Sequence, residues 1–231
     1  SGNNAQGKTN LLESLVYLSL TRSHRVSNDK KLIKDGCSFA SMECDVYEND
    51  KKTDIKAVLH KKGKTLFLHH QPVSKSSDFI GNLNVIFFSP DDLSLFSDSP
   101  MERRKLINQE AGKLSRKYIY ALNRFQDTLK KRNFLLKQPK IDEIYLDTLD
   151  EILSEQEYVL INERTKIIQS LNETIQKYFT YLFHASDTTL NIQYLCCLDG
   201  MTCTKENLVQ LHKNARKKDM DYRTTTTGIH R

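Results

Sequence analysis

The sequence opens SGNNAQGKTN, in which Gly2-x-x-x-x-Gly7-Lys8-Thr9 has the spacing of a loop that cradles nucleotide phosphates. No other stretch narrows the fold as much. Its glycines permit backbone angles that turn successive N–H groups inward. Lys8 adds a mobile cation for the β- and γ-phosphates, and Thr9 offers a hydroxyl to Mg²⁺. A helix must follow at once, because its positive N-terminal end faces the same anion. LLESLVYLSL, residues 11–20, supplies that helix, with Leu11, Leu15 and Leu18 as an apolar stripe. The candidate cofactor-binding residues are therefore Gly2, Asn3, Asn4, Ala5, Gln6, Gly7, Lys8 and Thr9, with Thr9 on the metal side. The strand that normally leads into such a loop does not precede Gly2.

Hydrolysis needs a carboxylate pair near the metal to order water, normally at the end of a buried strand. No run of four apolar residues followed by two acids occurs. The nearest, VIFFSPDD at 85–92, carries an intervening Ser-Pro. The catalytic residues are expected outside this chain.

At 231 residues, 38% hydrophobic and 28% charged, the chain can bury a core. It lacks eighteen consecutive apolar residues, so no membrane span is expected, and no secretory leader is visible. Cys37, Cys44, Cys196, Cys197 and Cys203 are odd in number and lack C-x-x-C spacing. Reduced, mostly buried thiols in a cytoplasmic protein are the expectation.

The remaining pattern suggests an α/β nucleotide-binding lobe with mixed sheet over 1–100, a helical arm over 101–184 and a return toward the lobe over 185–231. Residues 37–48, 54–61 and 64–71 read as an antiparallel meander, and NVIFF at 84–88 as a strand buried on both faces. Ser89 with Pro90, and Ser99 with Pro100, mark helix starts. Tyr118, Leu122, Phe125, Leu129 and Leu136 form one helical stripe. Tyr145 to Leu182 form a second beyond Pro139, so the two make a hairpin. Residues 188–197 read as a strand and 204–218 as a basic helix. Residues 101–140 carry 12 Lys and Arg against 3 acids, whereas 141–163 carry eight acids and no base. An antiparallel hairpin would set these blocks against each other.

GNNAQGKTNLLESLVYLSLTRSHR, NVIFFSPDDLSLF, SDSPMERRKLIN and TTTTGIHR, in that order and spacing, resemble the RecF family of bacterial recombination and repair ATPases. Asn4, Gln6 to Asn10, Ser23-His24-Arg25 and Phe88 to Asp92 carry the resemblance most specifically. It implies an ABC-type ATPase related to SMC and Rad50 heads, with a P-loop lobe and an inserted helical-hairpin arm. It further implies ATP and Mg as cofactors, an ATP-dependent homodimer, and binding to duplex or gapped DNA. RecR and RecO would be its partners in loading recombinase. The family's signature motif and paired carboxylates would lie beyond residue 231. Asn108 stands where the family usually has Asp, and Ile229 replaces the usual Pro before His-Arg.

Arg103, Arg104, Lys130, Lys131 and Arg132 are candidate DNA contacts. The rival reading pairs this block with the acids of 141–163 or leaves it solvated. His69 and His70 as strand neighbours point apart, which disfavours a shared metal. His24 is a candidate for the nucleotide's vicinity on the resemblance. The arm's aromatic residues are expected in the core rather than as a base-stacking surface. A nucleotide-gated scaffold that does not hydrolyse is the alternative function. A small-molecule P-loop kinase is disfavoured, since a long charge-blocked hairpin serves no evident purpose there.

Overall fold

A computed structural model describes residues 7–26, 28–89, 95, 99–184 and 188–230. The chain divides into two compact units, Ser1–Arg116 and Lys117–Arg231.

In the first unit α1 (Lys8–Leu20) precedes a four-stranded antiparallel sheet in the order β1-β2-β3-β4 (Phe39–Glu48, Lys51–His60, Gly63–Leu68, Gln71–Val73). Short α2 (Ser76–Phe79) and then α3 (Pro100–Leu114) follow. Two tight hairpin turns are set by left-handed residues: Asn49 and Asp50 at φ 47° and 64°, His69 and His70 at 49° and 62°. Such paired positive φ values match the twist of the flanking strands. His69 and His70 thus form a turn rather than continue a strand.

Alternation places Ala40, Met42, Cys44 and Val46 of β1 and Ile55, Ala57 and Leu59 of β2 on one face. Tyr17 and Leu18 of α1 and Phe79 of α2 close this core. The core takes only the later part of α1. Leu11, expected in its buried stripe, is 67% exposed, because that turn does not reach the sheet. α3 begins after Ser99 with Pro100 at its start, as the sequence suggested, and it packs on α1 within this unit. Ser89 has no helix placed behind it, since Pro90 to Ser94 lie outside the described residues.

NVIFF is not a strand. Ile86 is 94% exposed and Phe88 is also exposed. A strand buried on both faces needs neighbours at both edges. Among the described residues the sheet ends at β1 and β4 without pairing this run.

In the second unit α4 (Arg116–Leu135) and α5 (Glu143–Phe183) form the expected hairpin. Arg164 Nε donates to Tyr118 Oη at 3.0 Å, and Arg132 Nε to Asp150 Oδ1 at 2.7 Å. The same number of residues separates the two contacts on each helix, which fixes an antiparallel register. Leu135, Leu136, Leu146 and Leu149 seal the closed end, and Asp142 caps α5 by accepting from Tyr145 N. The final helix α6 (Lys205–Tyr222) packs along α5.

The acids of α5 are met mainly by α6, not by α4 as the charge blocks suggested. Arg216 bonds Asp147 at 2.6 Å and Asp150 at 2.7 Å, Lys205 lies 3.5 Å from Glu155, and His212 Nε2 lies 2.8 Å from Glu157. Among the described residues Arg132 is the one cation of α4 that pairs with an acid of α5. It is fully buried, bonding Asp150 and Asp219, each at 2.7 Å, and donating to Thr225 Oγ1 at 2.8 Å. Its placement in a DNA-contacting surface is therefore corrected, since a side chain closed off from solvent reaches no phosphate. The sequence held a sign of this: Tyr118, Phe125 and Arg132 share the heptad spacing of the core stripe.

The Thr-rich segment is fastened to the same network. Asn133 Oδ1 accepts from Thr225 N at 2.7 Å, and Asp219 Oδ1 accepts from Thr226 N at 2.7 Å. Gly228 has φ 115°, and a Cβ there would sit 2.5 Å from Glu157 Oε1. Ile229 N donates to that oxygen at 3.2 Å. The departure from proline thus supplies a buried carboxylate with a donor that proline lacks.

Residues 188–197 are not a strand either. Gln176 donates to Thr188 O at 3.0 Å and accepts from Leu190 N at 2.7 Å, while Asn172 donates to Ile192 O at 2.9 Å and accepts from Ile192 N at 2.8 Å. Side-chain amides of α5 supply what a neighbouring strand would. All five cysteines are free thiols. Cys37 is exposed and the other four are partly exposed, so they are less buried than expected. Burial, then the Glu157 charge, pushes the Cys197 thiol up to about 12.

Replacing Arg132 by Ala removes the cation shared by buried Asp150 and Asp219, leaving Arg216 on the first and Thr226 on the second, and is expected to cost about 3–5 kcal/mol in urea unfolding, whereas Lys130→Ala costs about 0–1 kcal/mol. Ile229→Pro, which removes one donor from buried Glu157, is expected to cost about 1–3 kcal/mol in the same assay.

Candidate nucleotide-phosphate site

Of the proposed cradle, Gly2, Asn3, Asn4, Ala5 and Gln6 lie outside the described residues, whereas Gly7, Lys8 and Thr9 are placed. Gly7 is the N-cap of α1 at φ 78°, ψ 10°, a left-handed conformation that glycine adopts without a steric penalty. A Cβ at Gly7 would meet nothing within 4 Å, so backbone angle rather than space selects glycine there. Lys8 and Thr9 are the first helical residues, both exposed, and the first intrahelical bond runs from Leu11 N to Gly7 O at 3.0 Å. The first-turn amides come before that bond and face the helix start. No acid stands in this turn, and glycine at the N-cap brings no side chain to it, which leaves the sign of the helix end suited to an anion. A left-handed glycine, the first-turn amides, a lysine and a threonine hydroxyl make a donor set that fits a phosphate with its Mg²⁺.

The next turn fastens the segment that follows the helix. Glu13, nearly buried on α1, accepts a hydrogen bond from Ser23 Oγ and lies 3.4 Å from Arg25 Nη1. Ser23 Oγ also accepts from the backbone N of Arg25 and of Val26, each at 3.0 Å, which folds residues 23–26 into a turn. The His24 ring packs against Phe87 with centroids 4.7 Å apart. Thus the Ser-His-Arg stretch is held on the phosphate-loop helix by Glu13, a residue the motif reading passed over. Nothing in the sequence flagged it, since its partners lie ten and twelve positions on.

The far end of α1 is fixed as firmly. Tyr17 Oη donates to Asp29 Oδ2 at 2.7 Å, and Lys64 Nζ lies 3.3 Å from the same oxygen while donating to Thr21 O. Burial, followed by the Asp29 hydrogen bond, holds the Tyr17 phenol protonated well above its ordinary range. α1 is therefore tied to β3, and the helix start is presented from a supported element.

The candidate DNA residues are divided between the two units. Arg103 donates to Leu95 O at 3.2 Å, tying α3 to the segment before it, and Arg104 is half-buried on the same helix. Lys130, 3.9 Å from Asp127, and Lys131 are exposed on α4, in the second unit. Among the described residues no group of three or more His, Cys, Asp or Glu side chains could hold a metal, and no helix is long and apolar enough to cross a membrane.

Comparison with known proteins places the chain in the class of P-loop ATPases with a mixed α/β fold. No family model matches it. It is 35% identical over 238 residues to the DNA replication and repair protein RecF of Pediococcus pentosaceus, covering 99% of this chain and 63% of that protein. It is 33% identical to RecF of Lactobacillus johnsonii and 32% to RecF of Clostridium perfringens, each over 100% of this chain and 64% of the relative. A solved structure of the recombination mediator protein RecF-ATPrS in the RecFOR pathway matches with a TM-score of 0.91 at 26% identity. It covers 100% of this chain and 64% of its own. A RecF-ATP structure matches at 0.89 and 27%.

The chain is thus similar to RecF proteins over its whole length, and it spans about 63–64% of the length of the curated relatives it matches. Substituting Glu13 by Ala removes the carboxylate that holds Ser23 and Arg25 and is expected to destabilise the first unit by about 1–3 kcal/mol. Faster amide exchange at Arg25 and Val26 than in the unaltered chain would accompany the loss.

Proposed function

We propose that this chain is the nucleotide-binding part of a recombination mediator of RecF type. ATP would bind with Mg²⁺ at Gly2 to Thr9: the cradle amides and Lys8 hold the phosphates, and the Thr9 hydroxyl holds the metal. The observation that carries the reading is the start of α1, where left-handed Gly7 opens the helix at Lys8-Thr9 with no acid in its first turn. The whole-length likeness to RecF structures solved with ATP and ATPrS supports it.

On the same ground the full-length protein would work in the cytoplasm on duplex or gapped DNA. It would dimerise with ATP and act with RecR- and RecO-type mediators to help load recombinase, as a slow DNA-dependent ATPase. This chain, lacking an apolar strand that ends in paired acids, is expected to bind nucleotide without appreciable turnover.

Titration with a fluorescent ATP analogue in the presence of Mg²⁺ tests the assignment. Lys8→Ala is expected to weaken binding by at least tenfold, about 1.4 kcal/mol, with unchanged thermal unfolding. Equal affinity in the two proteins would remove the loop from the site.

A further inference from the structure

The exposed face of α4 carries a feature that the nucleotide site does not use. Asp147, Asp150, Glu155 and Glu157 of α5 pair with α6 and Arg132, and among the described residues no ion pair joins the outer cations of α4 to α5. Lys117, Arg124 and Lys131 are exposed and make no ion pair among the described residues. Tyr120 and Phe134 lie on the same face and are 61% and 69% exposed. At the helical repeat these five side chains fall within an arc of roughly 100°, spread along about 26 Å of axis. One acid interrupts them, Asp127, 3.9 Å from Lys130. Beside Tyr120 is an open hollow of about 390 Å³ whose lining includes Asn123, Arg124, Asp127, Thr128 and Lys131 but not Phe134.

The rest of α4 shows why this face is unusual. Its buried side takes Tyr118, Ile119, Ala121, Phe125 and Leu135. Tyr120 and Phe134 are thus left out of a core that their helix otherwise fills with rings and aliphatic chains. A row of cations suits a phosphate backbone, and an exposed ring offers a face on which a base can stack. A duplex keeps its bases stacked on one another and presents only edges and phosphates, so it could use the cations but not the rings.

We propose that the outer face of α4 is a binding surface for single-stranded nucleic acid. Lys117, Arg124 and Lys131 meet its phosphates, and Tyr120 and Phe134 stack on its bases. The proposal rests on the DNA-binding reading above and specifies which strand state this helix recognises.

The test is fluorescence anisotropy of the full chain with an oligothymidylate and with a blunt duplex, across a salt series. Tyr120→Ala and Phe134→Ala are each expected to weaken oligothymidylate binding by roughly tenfold and leave duplex binding unchanged. Tyr120→Phe keeps the ring and should bind as the unaltered chain does. Lys131→Ala should lower the log–log salt slope for the single strand by about 0.7. Unchanged thermal unfolding of all four variants assigns the losses to the surface. Oligothymidylate binding that ignores both ring removals would overturn the proposal and leave DNA binding standing, as would equal losses on duplex and single strand. No binding of either DNA by the unaltered chain would overturn both readings.

Discussion

Arg132 is the constraint on which the second unit depends. Its guanidinium is buried, and it is held by carboxylates from α5 and α6 and by a hydroxyl from the Thr-rich segment. Charges out of water are tolerable only when paired and hydrogen-bonded, so α4, α5, α6 and residues 224–226 must be in place together. Asp150 is shared with Arg216, which extends the condition along α6. Desolvation opposes the Arg216 charge, but the Asp147 and Asp150 partners outweigh it and hold it above its ordinary range. This closed arrangement turns Asp147 and Asp150 toward α6 and Arg132, while Lys117, Arg124 and Lys131 stay on the outer face of α4.

The helices were legible because a period near 3.6 is imposed by one buried face, and that rule held from Tyr118 to Leu136; of the second stripe Leu149 and Leu160 are buried, whereas Tyr145, Leu171, Tyr178 and Leu182 are exposed. The meander was legible from alternation and its turn residues. Both misread strands, 84–88 and 188–197, failed for one reason. Apolar, β-branched composition says where a backbone can be extended but not what bonds to it. At 188–192 the partner is a pair of helix amides, and at 84–88 no described strand pairs with it. Arg132 was misassigned because cations in a basic run look alike until each is placed on its helix face.

The phosphate loop was readable because its chemistry is local: spacing alone puts glycine, lysine and threonine where an anion needs them. Glu13 and the fastening of Ser23 were not readable, since they depend on how the chain folds back after Thr21. Ile229 is intermediate. Its departure from proline is visible in the sequence, but its meaning appears only where the backbone N–H meets buried Glu157.

The amide pair on α5 also limits itself by length. Asn172 and Gln176 are one helical step of four residues apart, about 6 Å along the axis, while two residues of extended chain advance about 6.6 Å. The two repeats nearly coincide, so a helix can act as the edge of a sheet for a short distance. Each further step adds about 0.6 Å of misfit, and the next position in the row is apolar Ile168. The strap therefore has one register set by two residues, like a vernier read at a single mark. Shifting it by one residue would turn its N–H and C=O groups away from both amides.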